Sequence, residues 1–158
     1  MKTFLHLLLV LAALAGFAGC QSGVEGIHSV RVAQMREAIR AEEPGDYFIG
    51  RRYYKQDYKF WGYIRQPGQP WSSAKLVMMN EQQKLAPDRA GGKLGSDHGY
   101  EYKLLGHFSP DKVYEPASNG FYPEFVLTGY ELRSTNPAPI FGVAGANDPA
   151  RRVVEAPR

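Results

Sequence analysis

Residues Asp57–Trp71 read DYKFWGYIRQPGQPW, and the rest of the chain is arranged around this stretch. Tyr58, Phe60, Gly62 and Ile64 alternate with Lys59, Trp61, Tyr63 and Arg65. A period of two sends the two sets to opposite faces of a strand. The first set suits an interior. The second is an aromatic-cationic row, costly to leave exposed without a use. Pro67-Gly68 ends the strand, and Pro70 keeps the connection out of a sheet because proline has no N–H to give a ladder.

Upstream, Tyr47-Phe48-Ile49 precede Gly50, and Arg51-Arg52-Tyr53-Tyr54-Lys55 add further rings and cations. Gly50 and Gly62 offer the bulge or curvature that closing a small barrel requires. Two strands joined near Gln56-Asp57 and one long bent strand both remain open. Earlier still, Val32, Met35 and Ile39 recur at helical spacing behind Ser29, a candidate N-cap, and Pro44-Gly45 ends the helix. Residues 20–28 contain two glycines and read as a tether.

Downstream, Ala74–Asn80 is apolar on both faces, as in a central strand. Residues 81–99 hold four glycines and one proline and read as a long loop. Strand patterns follow at Tyr100–Phe108 and Glu124–Arg133, with turns at Ser109–Lys112 and Pro116–Gly120 and a short edge segment at Val113–Glu115. Residues 29–133 thus form one domain, a helix followed by a small β-rich unit. In residues 134–158, Pro137, Pro139, Pro149 and Pro157 argue against a long terminal strand, so a mostly irregular tail is expected.

About five glycine-containing strands, separated by turns, give a mainly β fold: a small curled antiparallel sheet or a five-stranded barrel with an N-terminal amphipathic helix. In strand number and long internal excursion the chain resembles an OB-like barrel. The usual OB helix lies between the third and fourth strands, and a helix hidden in residues 81–90 would supply it. The alternative is a non-OB α+β sheet packed by the N-terminal helix.

The address is read from residues 1–19. Lys2 is followed by an apolar run from Phe4 to Ala15, the length of a signal-peptide core and short for a membrane span. Phe17-Ala18-Gly19-Cys20 resembles a lipobox, with Phe17 where an aliphatic residue is more usual. The resemblance implies a bacterial lipoprotein whose Cys20 is lipidated and becomes the new N-terminus, an extracytoplasmic membrane anchor. Gln21 then implies the outer membrane in a host with two membranes. Cys20 is the single cysteine of the 158 residues, so the chain has no disulfide, and lipidation accounts for the unpaired thiol. The lipid bilayer is the partner implied by Cys20; an envelope protein or glycan is the partner expected for the domain.

Reactive constellations are sparse. The formal charge of +3 is too small for electrostatic capture of nucleic acid by the whole domain, so nucleic acid is disfavoured as a partner. Gly91, Gly92 and Gly95 lack the lysine-serine ending of a phosphate loop. Asp97-His98 is the one suggestive acid-imidazole pair, without a third ligand to make a metal site. Glu101 and Glu124 would approach one another if their strands paired suitably. No serine carries an activation signature. No cofactor, metal or catalytic residue is assigned. The candidate binding face is Lys59, Trp61, Tyr63 and Arg65, widened by Arg51 and Arg52. In the competing reading, Trp61 and Tyr63 are a packing platform under the N-terminal helix.

Overall fold

A computed structural model describes residues 22–158, with side chains from residue 26 onward. The lipobox and the signal segment therefore lie outside the described residues. Helix α1 (Ser22–Arg40) starts earlier than the sequence suggests. Ser29 is inside it, its hydroxyl donating to the Gly26 carbonyl at 2.8 Å instead of capping an end. Residues expected as tether are thus helical from Ser22, because nothing between Ser22 and Ser29 breaks a helix except Gly23 and Gly26, and each costs only about 1 kcal/mol. The chain divides into two compact units after Met35, and the barrel belongs wholly to the second, Arg36–Arg158.

Five strands close the barrel in the order β1-β2-β3-β5-β4. They are β1 (Phe48–Arg52), β2 (Gly62–Arg65), β3 (Lys75–Asn80), β4 (Glu101–Glu115) and β5 (Gly120–Ser134). β3 and β5 run parallel, and every other pair is antiparallel. A short helix α2 (Pro87–Ala90) stands between β3 and β4, where the OB-like arrangement has its helix. The region expected as one long loop therefore contains a structural element, and Ala86 before it is fully buried.

The interior is built from Trp61, Ile64, Val77, Ala86, Tyr102, Leu104, Phe125 and Leu127. Burying each large side chain contributes roughly 1.5–3 kcal/mol. Phe48, Phe108 and Phe125 close one end, meeting edge to face at centroid distances of 5.2 to 5.5 Å.

Two departures from regular alternation shape this core. Gly62 passes so close to the Arg51 carbonyl that a Cβ there would overlap it. The alternation breaks at that point, so Trp61 turns into the barrel while Phe60 stays outside it. Gly106 has φ +150°, and a Cβ there would overlap the Val126 carbonyl. It marks a register shift in the β4–β5 ladder and bends β4 around the barrel.

The expected turn at Ser109–Lys112 is instead an irregularity between Phe108 and Lys112 within a continuous 15-residue strand. β4 and β5 consequently form a long hairpin whose only turn is at Pro116–Asn119.

Candidate functional site

Of the six residues expected on an exposed face, Arg51, Arg52, Trp61, Tyr63 and Arg65 are each at most 4% exposed. Lys59 alone is exposed. The row is not one surface. Trp61 and Arg52 point into the barrel, whereas Arg51, Tyr63 and Arg65 lie outside it under other parts of the chain. The competing reading also needs correction. Trp61 belongs to the interior cluster, and Tyr63 packs beneath the C-terminal segment.

That segment, residues 138–158, has no helix or strand and is largely exposed, yet it is anchored at points along its length. Its Ile140, Phe141 and Ala146 are buried. Phe141 packs on Tyr53 and Tyr63 at 4.9 and 5.8 Å, and Tyr53 stacks on Phe60. Most polar anchors share one feature: side chains outside the segment donate to its main-chain carbonyls, the exposed Arg152–Asp57 ion pair at 2.7 Å being an exception. Lys55 Nζ donates to Ala146 and Asp148, at 2.9 and 2.7 Å. The hydroxyls of Tyr53, Tyr58 and Tyr63 donate to Ala146, Arg152 and Glu155. Arg51 Nη1 reaches Ala138 at 2.9 Å. His98 uses both ring nitrogens: Nδ1 accepts the Tyr54 N–H at 3.0 Å, so Nε2 carries the proton and donates to Asn147 at 2.6 Å. Burial pushes the Lys55 and His98 pKa values down and those of Tyr53 and Tyr63 up. Each is thereby favoured in its uncharged form. The buried ammonium of Lys55 is compensated by the main-chain carbonyls at Ala146 and Asp148, by the Tyr53 ring at 4.9 Å and by the charges of Asp148 and Glu155.

The buried arginines are paired with carboxylates. Arg52 Nη2 donates to Asp88 at 2.8 Å, its Nε lies 3.3 Å from Asp97, and its Nη1 donates to the Trp61 carbonyl. Burial opposes ionisation of Asp88, but Arg52 and the N–H groups of Gly95 and Arg89 hold its pKa below the usual value. Asp97 is pushed up by burial, and Tyr102 donates to it at 3.0 Å. Arg52 thus pins the β3–β4 connection to β1 at two points, Asp88 in α2 and Asp97 shortly before β4. On the outer side, the guanidinium groups of Arg51 and Arg65 both lie over the Trp71 ring, at 5.0 and 4.7 Å. Arg51 pairs with Glu101, and Arg65 with Glu42.

The proposed acid-imidazole and dicarboxylate pairs dissolve on inspection. Asp97 and His98 point to different partners. Glu101 stands opposite Ser134, at the far end of β5 from Glu124, which accepts from Asn80. Among the described residues no three His, Cys, Asp or Glu side chains are placed to hold a metal ion.

The exposed residues that the sequence did not single out are at the hairpin tip. Tyr114 and Phe121 are cross-strand partners with ring centroids 5.2 Å apart, and they remain 46% and 67% exposed. The Tyr114 hydroxyl donates to Asn119 at 2.8 Å, which fixes its ring. Lys112, two residues before Tyr114, shares that face and is exposed. The opposite face carries Glu115 and Tyr122. Tyr122 packs on Phe60 at 5.8 Å. Glu115 is 1% exposed and accepts the N–H groups of Ala117, Ser118 and Lys59. One buried carboxylate therefore orders the tip and locks it to the β1–β2 loop, bringing Lys59 beside it. The signal in the sequence was weak: a lysine and two rings spread over ten residues, paired only by the hairpin register.

No family model matches this chain, and neither does a curated protein or a solved structure.

Proposed function

We propose that the chain is a non-catalytic interaction module and that its contact element is the solvent face of the β4–β5 hairpin tip. The observation that carries this reading is the ordered, exposed Tyr114–Phe121 pair. Exposed rings held in place give stacking area at little entropic cost, and Lys112 on the same face supplies positive charge. OB-like barrels bind extended polymers with the β1–β2 and β4–β5 loops, and Glu115 ties those two loops together here. The ligand chemistry that fits is an extended polyanion with flat faces to stack.

Two sources offer that chemistry, single-stranded nucleic acid and an acidic glycan. Titrations with a labelled oligothymidylate and with an acidic polysaccharide, each at several salt concentrations, separate them. For the oligonucleotide, engagement of Lys112 alone gives a log–log salt slope of about −0.7. Absence of saturable binding to either polymer would remove the polyanion reading.

The anchor is a second reading, supported by Phe17-Ala18-Gly19-Cys20 and by the single cysteine. Lipidation of Cys20 would hold the module at an extracytoplasmic membrane surface and favour an envelope glycan over nucleic acid. Intact mass of the native protein tests this: a mature N-terminus at Cys20 with its lipid supports it, and an unmodified Cys20 rejects it.

A further inference from the structure

We propose that the cavity at the Phe48–Phe108 end of the barrel, beside the β2–β3 connection, is a binding site for a small organic acid with an apolar body. It is separate from the hairpin tip and does not depend on the reading given to that tip. A cavity of about 320 Å³ opens there, lined by Phe48, Ile64, Phe108, Gln66, Ser73 and Lys75 among others. The volume is at the lower end of the range for small-molecule sites.

The lining divides by chemistry. Phe48 and Phe108 meet edge to face at 5.5 Å and, with the buried Ile64, make a rigid apolar wall. Phe125 braces both rings from inside the barrel, at 5.2 and 5.3 Å. The wall is therefore preformed.

Two cations border the cavity. Arg65 is spent, because Glu42 takes both of its terminal nitrogens at 2.6 and 2.8 Å. Lys75 is available. Its ammonium lies over the Phe108 ring at 4.9 Å, and among the described residues no carboxylate pairs with it. An anion entering the mouth meets one uncompensated positive charge directly above an aromatic wall. Gln66, Gln69 and Ser73 add neutral polar groups at the rim. A carboxylate on Lys75 with an aryl or branched alkyl body against Phe48 and Phe108 satisfies every part of this lining. A cation would meet Lys75 unfavourably, and an uncharged ligand would leave it unused.

The test uses the full-length chain and three probes that share one body: 3-phenylpropionate, its uncharged amide, and 3-phenylpropylamine. Binding is followed by amide chemical-shift titration. The acid is expected to give saturable shifts at Phe48, Lys75 and Phe108, with roughly twofold to fivefold weaker binding of the amide and weaker still of the amine. Lys75→Met should reduce the acid to the level of the amide. Ser73→Trp, a change at an exposed position of the rim, should block both while the remaining spectrum stays in place. Equal binding of acid and amine, acid binding unaffected by Lys75→Met, shifts that persist in the Ser73→Trp variant, or no saturable shift up to about 10 mM acid would each overturn the proposal.

Discussion

The ammonium of Lys55 donates to the main-chain carbonyl of Ala146 at 2.9 Å, across 91 residues of sequence. This contact fastens the terminal segment to the barrel without using a side chain of that segment. Lys55→Met keeps the volume and removes the charge, leaving the carbonyls of Ala146 and Asp148 without that donor. The expected loss is about 1–3 kcal/mol in urea unfolding. Hydrogen exchange should accelerate at Gln56 and Arg158, whose N–H groups bond to Pro149 and Ile140, more than at the β4–β5 ladder. A uniform change across the barrel would mean the segment is not a separately fastened unit.

Arg52 gives a contrast between two aspartates. Asp88 is held below its usual pKa by Arg52 and two N–H groups despite burial, so its charge is wanted. Asp97 is pushed above its usual value by burial, so its charge is only partly compensated. Asp88→Asn should therefore cost more than Asp97→Asn. Asp88→Ala, which leaves a buried arginine without its main partner, should cost about 3–5 kcal/mol. Thermal or urea unfolding of the three variants checks the order.

Acid sensitivity centres on Glu42. Burial opposes its ionisation, yet Arg65, Arg133 and the Gly68 N–H hold its pKa at about 2, below the ordinary 4.5. A folded-state pKa below the unfolded one gives stability that is present above pH 4.5 and lost as pH falls toward 2. Asp97, raised in the folded state, works in the opposite direction, its contribution growing as pH falls. The difference between wild type and Glu42→Gln isolates the first effect. That difference should be largest above pH 4.5 and shrink toward pH 2 in urea unfolding measured across the range.

His98 provides a local check on how the terminal segment is held. Its neutral ring accepts from Tyr54 and donates to Asn147, so a proton on Nδ1 breaks the first of these bonds. Burial lowers its pKa below 6.5, and its contribution to stability is lost as pH falls below that value. NMR titration of the ring should give a midpoint below 6.5, with protonation accompanied by shifts at Tyr54 and Asn147. A midpoint at or above 6.5 would contradict the arrangement.

The rhythm of strands and turns was legible because alternation and proline are local signals. Ile64 could be placed inside from spacing alone, and Pro67-Gly68 does end β2. The side of Trp61 could not be read, because the alternation fails where Gly62 presses against the Arg51 backbone. The role of Arg52 was hidden in Asp88 and Asp97, which lie 36 and 45 residues away and look like loop polarity in sequence. The cover over Tyr53 and Tyr63 was largely hidden for a different reason. Most of its polar acceptors are main-chain carbonyls, and every residue has one, so only the apolar pair Ile140-Phe141 marks the seat of the terminal segment in sequence. The same blindness turned an aromatic-cationic row into an expected face and passed over Tyr114 and Phe121. Exposure is a property of what lies across from a residue, and the residues flanking it do not record that.

Tyr114 and Phe121 test the central claim most directly. Both are exposed, so Tyr114→Ser with Phe121→Ser removes stacking area and leaves the barrel interior untouched. In fluorescence-anisotropy titrations with the polyanion that the wild type binds, the double variant should lose at least tenfold in affinity, since each stacked ring contributes about 1–3 kcal/mol. Its unfolding midpoint should stay near that of the wild type. A folded double variant that binds as tightly as the wild type would contradict the assignment of the hairpin tip as the contact element.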